Sequence, residues 1–244
     1  IAYNQILINP KKLFPKNYHY RSRLTKDVLI GMKDFVDEIQ NKYGKLNGKV
    51  ILDIGSNDGS LLNYFKLKGA KTIGVEPTAA GLGTSKMHKL YKDYFSKKVA
   101  LDIKKKFMSI DYITFTNVFA HIGNLKLLIK NLKLLIGNKT KIIIENHYLG
   151  SIIKKKQFDT FYHEHPRTYS LCSFIKIAKM LNMHVENCSF KKRYGGNIRV
   201  IIGNDKKKLN YNKILINEKK FFKKLIGLKK FISYWKKNTL KKIK

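Results

Sequence analysis

The stretch KVILDIGSNDGSLL, residues 49–62, decides the fold. KVILDIG (49–55) is an apolar run closed by a glycine, the pattern of a strand buried on both faces of a parallel sheet. Helical spacing follows through Leu61, Leu62 and Phe65. Between strand and helix, Gly55 permits a sharp exit and Gly59 lets a ligand approach the backbone. Outward toward the C-terminus the alternation repeats. KTIGVEP (71–77) is a second strand, a helix near 97–107 precedes the strand DYITFTN (111–117), and a helix at 124–135 precedes TKIIIEN (140–146). Such repetition predicts an α/β fold, a mostly parallel Rossmann-like sheet with helices on both faces.

Toward the N-terminus, Val28, Met32, Phe35, Val36 and Ile39 recur at helical steps behind a cap at Ser22 or Thr25, and Gly44 and Gly48 end that helix. Residues 1–22 read as an extended lead-in punctuated by Pro10 and Pro15. Beyond residue 150 come a polar, aromatic loop (158–169), a helix from Ser170 to about Leu181, and two strands near 184–190 and 196–202. Gly195-Gly196 make a turn or bulge between those strands. The last 40 residues hold 15 Lys around an apolar stripe, Phe221, Leu225, Leu228, Ile232 and Trp235, all on one helical face. The stripe fits the packed face of a long helix better than a membrane-surface helix. The expected organisation is a lead-in (1–22), a cofactor-binding domain (23–150) and the start of a C-terminal α/β segment (151–244).

Composition limits the function classes. With 43% hydrophobic and 12% aromatic residues among 244, the chain buries a core and is not disordered. No apolar run approaches the roughly 18 residues of a membrane-spanning helix. Cys172 and Cys188 form no CxxC pair, which supports neither a four-Cys zinc site nor a disulfide framework. The compartment expected from this is the reducing cytoplasm, and the start at Ile1 suggests a fragment. Net charge is 51 − 16 = +35. Only five of the basic residues are Arg, however, and Lys is the poorer reader of bases and phosphates. The charge therefore does not make nucleic acid the primary partner.

The glycine loop indicates the ligand. GSNDG is not GxGxxG and lacks the Lys-Ser/Thr pair of a triphosphate loop. Asp53 and Asp58 would repel a pyrophosphate and suit a cation. Glu76, ending the second strand, is placed to accept ribose hydroxyls, and Asn117, ending the third, borders the same cleft. S-adenosylmethionine, with a ribose, an ammonium group, a sulfonium and no phosphate, fits that set. The expected cofactor residues are Asp53, Gly55, Ser56, Asn57, Asp58, Gly59, Glu76, Pro77 and Asn117. A second cluster, Tyr162-His163-Glu164-His165, puts a general base, an orienting carboxylate and a hydrogen-bond donor together. His163 and His165 alone give only part of a metal's ligand set, without HExxH spacing, so proton abstraction is favoured over a metal site.

These motifs together resemble one family, the S-adenosylmethionine-dependent C-methyltransferases of nucleotide-linked keto-deoxysugars. The matching segments run in order through YHYRS (18–22), ILDIGSNDGSLL (51–62), GVEPT (74–78), TNVFAHIGNL (116–125), FDTFYHEH (158–165) and YGGNIRV (194–200). The resemblance implies a class I methyltransferase fold and methylation of the carbon beside a ketone. It implies His165 as base, Tyr162 and Glu164 as its companions, and His121 and Tyr20 as further active-site residues. Glu164 would fix the His165 tautomer, and Tyr162 or His121 would stabilise the enolate oxygen. No metal is required. Members typically carry an N-terminal zinc-binding domain and a longer C-terminal domain, so the resemblance also implies that this chain is a fragment. Two rival readings are a methyltransferase of RNA or another small molecule, suggested by the charge, and a truncated binding module without activity.

Overall fold

Every strand read from the sequence finds a place in one seven-stranded sheet. The computed structural model describes residues 2–3, 8–205 and 210–243, so parts of the lead-in and of the Lys-rich tail lie outside the described residues. The strands are β1 (Val50–Ile54), β2 (Lys71–Val75), β3 (Lys89–Tyr91), β4 (Tyr112–Thr116), β5 (Lys141–His147), β6 (His184–Lys191) and β7 (Asn197–Gly203). Their order is β3-β2-β1-β4-β5-β7-β6, and β7 alone runs opposite to the other six. The order reverses between β1 and β4, and the crevice beyond the carboxyl ends of such strands is the usual ligand site of an open α/β sheet. β6 and β7, which the sequence reading places in the C-terminal segment beyond residue 150, complete this same sheet.

Alternation along each strand feeds two apolar layers. Ile51, Ile143 and Ile201 face α1 (Lys26–Tyr43) and α2 (Ser60–Leu67), where Phe35 and Phe65 meet edge to face at 6.4 Å. Leu52, Phe115, Ile144 and Val200 face the other way, onto α3 (Lys97–Lys106), α4 (Leu125–Leu132) and α6 (Leu171–Met180). Local sequence sets several boundaries. Ser96 and Asn124 cap α3 and α4 by accepting from Val99 and Leu127 backbone N–H groups, and Ser170 with Ser173 forms a capping box on α6. The sequence reading did not include β3 or α5 (Leu149–Lys155), because neither is long enough to show a period.

A buried carboxylate and an apolar face join the tail to the body. Buried Glu218, in α7 (Asn212–Lys219), accepts from the Tyr148 hydroxyl at 3.0 Å and from the Leu171 and Cys172 backbone N–H groups at 2.8 Å. It thereby satisfies orphan donors at the start of α6. The following α8 (Phe221–Ile243) buries Phe221 and Leu228, while Trp235 is 46% exposed and rests on Phe158. Among the described residues, no helix is long and apolar enough to cross a membrane.

Candidate active site

A cavity of about 570 Å³ opens at the carboxyl ends of β1, β2, β4 and β5, a size within the usual range for small-molecule sites. Its lining comes from the loop after β1, the segment after β2, Asn117 to Asn124, His147, the 162–165 cluster and Tyr194. The lead-in roofs it with Phe14, Tyr18 and Tyr20.

One half carries two carboxylates. Asp53, near the end of β1, is buried and accepts from Thr114 Oγ1 at 2.7 Å. Burial, with a smaller contribution from Glu76, pushes its carboxyl up to about 7. The protonated form is thus favoured by folding. Its stabilisation is fully present below the unfolded carboxyl value of about 3.9 and is lost as pH rises through about 7. Asp53→Asn is accordingly expected to flatten this part of the stability curve, measured as urea midpoints across that window.

Gly55 leaves β1 at φ +76°, and a Cβ there would lie 2.5 Å from Val118 Cγ2, so only glycine fits the turn. Ser56 is buried with its Oγ unpartnered. Asn57 adopts φ 51° and ties two segments together. Its N–H donates to Glu76 Oε2 at 2.9 Å, while its side chain accepts from Ser22 N–H and donates to the Tyr20 carbonyl. The lead-in roof therefore hangs on the glycine loop. Glu76 Oε1 accepts from Thr78 N–H and Oγ1, so three donors reach a carboxylate with about four acceptor positions. Pro77 lines the cavity next to it. Asp58 and Gly59 do not reach the wall. Asp58 accepts from Ser60 N–H and Oγ and from Arg23 N–H, and Gly59, at φ +78°, precedes α2 as its cap.

The other half is a wall of imidazole and phenol. The His165 ring lies 4.9 Å from that of His121, 5.2 Å from His147 and 4.4 Å from Tyr162. His165 Nδ1 donates to the Thr160 carbonyl at 3.0 Å, so Thr160, and not the Glu164 carboxylate, sets its tautomer. Burial and the nearby His121 push His165 down to about 4, which keeps it neutral at pH 7. His121 Nδ1 donates to the Glu164 carbonyl at 2.7 Å, and the Asn117 carbonyl also faces that ring. Its proton is turned to backbone, which removes the role of enolate donor that the sequence reading gave it. The Tyr162 hydroxyl reaches Glu164 Oε2 at 3.4 Å and His165 Nε2 at 3.5 Å, and burial raises it to about 12, so it stays protonated. Tyr20 sits 43% exposed at the rim, close enough to Tyr194 to help raise that phenol. His163 is exposed and off the wall. Among the described residues, no group of three or more His, Cys, Asp or Glu is arranged to hold a metal ion.

Beneath this wall runs a buried charged network. Glu145, fully buried in β5, meets Arg199 Nη2 at 2.6 Å and Arg193 Nη2 at 2.9 Å. Asn197 Nδ2 bridges Glu145 Oε1 at 3.1 Å and Asn117 Oδ1 at 3.0 Å. Arg199 also pairs with Glu38, which Lys191 meets at 2.6 Å. The segment 194–200 thus places Tyr194 on the wall and holds Asn117 from below. Tyr194 takes φ 51°, a strained backbone for an aromatic residue. His147, Tyr194 and Phe14 were not picked out from the sequence. His147 directly follows the run read as a strand at 140–146, and its place at the carboxyl end of that strand was the available signal.

A family model described as a methyltransferase domain matches residues 24–186. The C-methyltransferase NovU of Streptomyces niveus is 26% identical over 196 residues, covering 80% of this chain and 46% of that protein. The chain thus spans less than half the length of this relative. Among solved structures, a magnesium protoporphyrin IX methyltransferase from Synechocystis with bound SAH superposes with TM-score 0.53 at 15% identity, covering 78% of this chain and 90% of that one. A SAM-dependent methyltransferase from Anabaena variabilis gives TM-score 0.53 at 14% identity, covering 70% and 84%. These likenesses establish the class I Rossmann-like fold.

Proposed function

The chain belongs to the methyltransferase domain family, and from that premise we propose that it transfers a methyl group from S-adenosylmethionine to the carbon beside a ketone in a nucleotide-linked deoxysugar. The observation that carries this reading is one cavity lined on one side by Asp53 and Glu76 and on the other by a neutral His165. The match to a C-methyltransferase supports the carbon acceptor.

The residues present fit the cofactor. The acidic groups Asp53 and Glu76 at the carboxyl ends of β1 and β2, with no phosphate-binding glycine loop between them, suit a ligand without phosphate, and Glu76 has one acceptor position left for a ribose hydroxyl. S-adenosylmethionine, when bound, supplies an electrophilic methyl on a positively charged sulfur. The chain's own residues do the rest. His165, neutral with its proton on Nδ1, accepts a proton at Nε2 from the carbon next to the ketone. That carbon becomes the nucleophile. Tyr162 lies between His165 and Glu164, so the imidazolium formed on His165 is tied to a carboxylate through the phenol. The aromatic roof of Phe14, Tyr18 and Tyr20 excludes water from the enolate.

Calorimetry with S-adenosylmethionine tests the cofactor half. Glu76→Ala is expected to weaken binding by about 10- to 100-fold, the range for hydrogen bonds to a charged group. Unchanged affinity would remove Glu76 from the site. Incubation with a nucleoside-diphosphate keto-deoxyhexose tests the substrate half, and methyl transfer to RNA in its place would overturn it.

A further inference from the structure

The three histidines of the wall are not equivalent. A backbone carbonyl can only accept, so His121 and His165, each with Nδ1 on a carbonyl, carry their ring protons there, and His165 keeps Nε2 as an acceptor. His147 is the reverse case. Its Nδ1 is buried and has no hydrogen-bond partner, yet the residue lines the cavity. A proton on Nδ1 would be a buried donor without an acceptor, and orphaned buried N–H groups are rarer in folded proteins than under-satisfied acceptors. On Nε2, the same proton meets the cavity and whatever acceptor it holds. His147 is thus the ring that turns an N–H toward the reacting centre.

The proposed chemistry needs such a donor. Removing a proton beside a ketone drives negative charge onto the carbonyl oxygen, and a fixed donor at that oxygen is commonly the largest catalytic contribution. His121 has its proton on backbone, and the Tyr162 hydroxyl leans on Glu164 and His165. His147 stands 5.2 Å, ring to ring, from the proposed base, and the edge-on Tyr194 ring is 5.9 Å away. It ends β5, a central strand, so its position is rigid.

We infer that His147 is a catalytic residue, donating a hydrogen bond from Nε2–H to the substrate's carbonyl oxygen while His165 Nε2 takes the proton from the adjacent carbon. The C–H electron pair becomes the enolate double bond, the carbonyl π pair moves to oxygen, and the proton rests on His165. Burial and the neighbouring His165 hold His147 down to about 4, so it acts as a neutral donor, a role a buried imidazole can fill. This inference rests on the proposed ketone chemistry.

The test separates the two. Wild type, His147→Phe and His147→Gln are placed in deuterium oxide with a nucleoside-diphosphate keto-deoxyhexose and S-adenosylhomocysteine. Exchange at the carbon beside the ketone is followed by NMR, and nitrogen–proton correlation spectra report each histidine tautomer. The expected result is His147 in the Nε2–H form, exchange lowered about 10²–10³-fold in His147→Phe, and partial recovery in His147→Gln, whose amide nitrogen reaches the Nε2 position. Undiminished S-adenosylhomocysteine affinity in the variants shows that they are folded. A proton on His147 Nδ1, or wild-type exchange in His147→Phe, overturns the assignment and leaves the His165 chemistry standing. A wild type that binds S-adenosylhomocysteine but exchanges nothing overturns the reaction and this inference with it.

Discussion

Replacing His165 with alanine is expected to lower methyl transfer by about 10²–10⁴-fold, the contribution of a positioned general base, while S-adenosylmethionine affinity stays at the wild-type level. The asymmetry follows from where the residue sits. His165 is on the loop wall beside His121, His147 and Tyr162, and Asp53 and Glu76, proposed to hold the cofactor, lie at the carboxyl ends of β1 and β2. Single-turnover rates and calorimetry on one preparation separate the two effects. Equal loss of both would mean that His165 supports the cofactor pocket and is not the base. The wild-type pH profile adds a second readout. Because burial depresses His165, the base form is lost only as pH falls through about 4, so the acid limb of kcat/KM lies there. A limb near the ordinary histidine value of about 6.5 would contradict the burial that defines the site.

Arg199→Met is expected to destabilise the fold by about 3–5 kcal/mol, the usual consequence of removing one partner from a buried ion pair. Glu145 is fully buried and its Oε2 is held by Arg199 through Nε at 2.7 Å and Nη2 at 2.6 Å. Without that guanidinium the oxygen loses both of its hydrogen-bond donors in a dry interior. Arg193 and Asn197 still engage Oε1, so the loss is partial neutralisation and not a bare anion. Arg199 also lies 4.6 Å over the Phe35 ring, a contact that methionine retains only as packing. Urea unfolding measures the change, and a shift below about 1 kcal/mol, the size expected of an exposed pair, would show that the network is solvated. The functional consequence runs through Asn197, which joins Glu145 to Asn117 on the cavity wall.

The site divides into what a sequence exposes and what it hides. Asp53, Glu76 and Asn117 were legible because each lies at or next to the end of an apolar run, and strand ends in a parallel sheet gather at one edge. Asp58 was misleading for a local reason. It occupies the position of a ligand-binding loop, but its carboxylate is turned to Ser60 and the Arg23 backbone and does not line the cavity. No spacing rule reports that Arg23 comes within reach of residue 58. The 162–165 cluster was visible as composition. Its tautomers were not, because they depend on the Thr160 and Glu164 carbonyls, and backbone direction in a loop has no residue code. The strand β3 was invisible at three residues, too few for alternation to show.

By itself the sequence determined the alternation of strands and helices, the two acidic residues at strand ends and the segment that carries the proposed base. Those are local facts, since burial on both faces of a strand demands consecutive apolar residues and a turn demands glycine. Only the tertiary structure decided that His147 stands beside His165, that Arg199 and Arg193 share one buried carboxylate, and that the lead-in roofs the cavity. Those pairings join residues far apart in the chain, and the sheet order β1-β4-β5-β7, which no single segment encodes, is what brings them together.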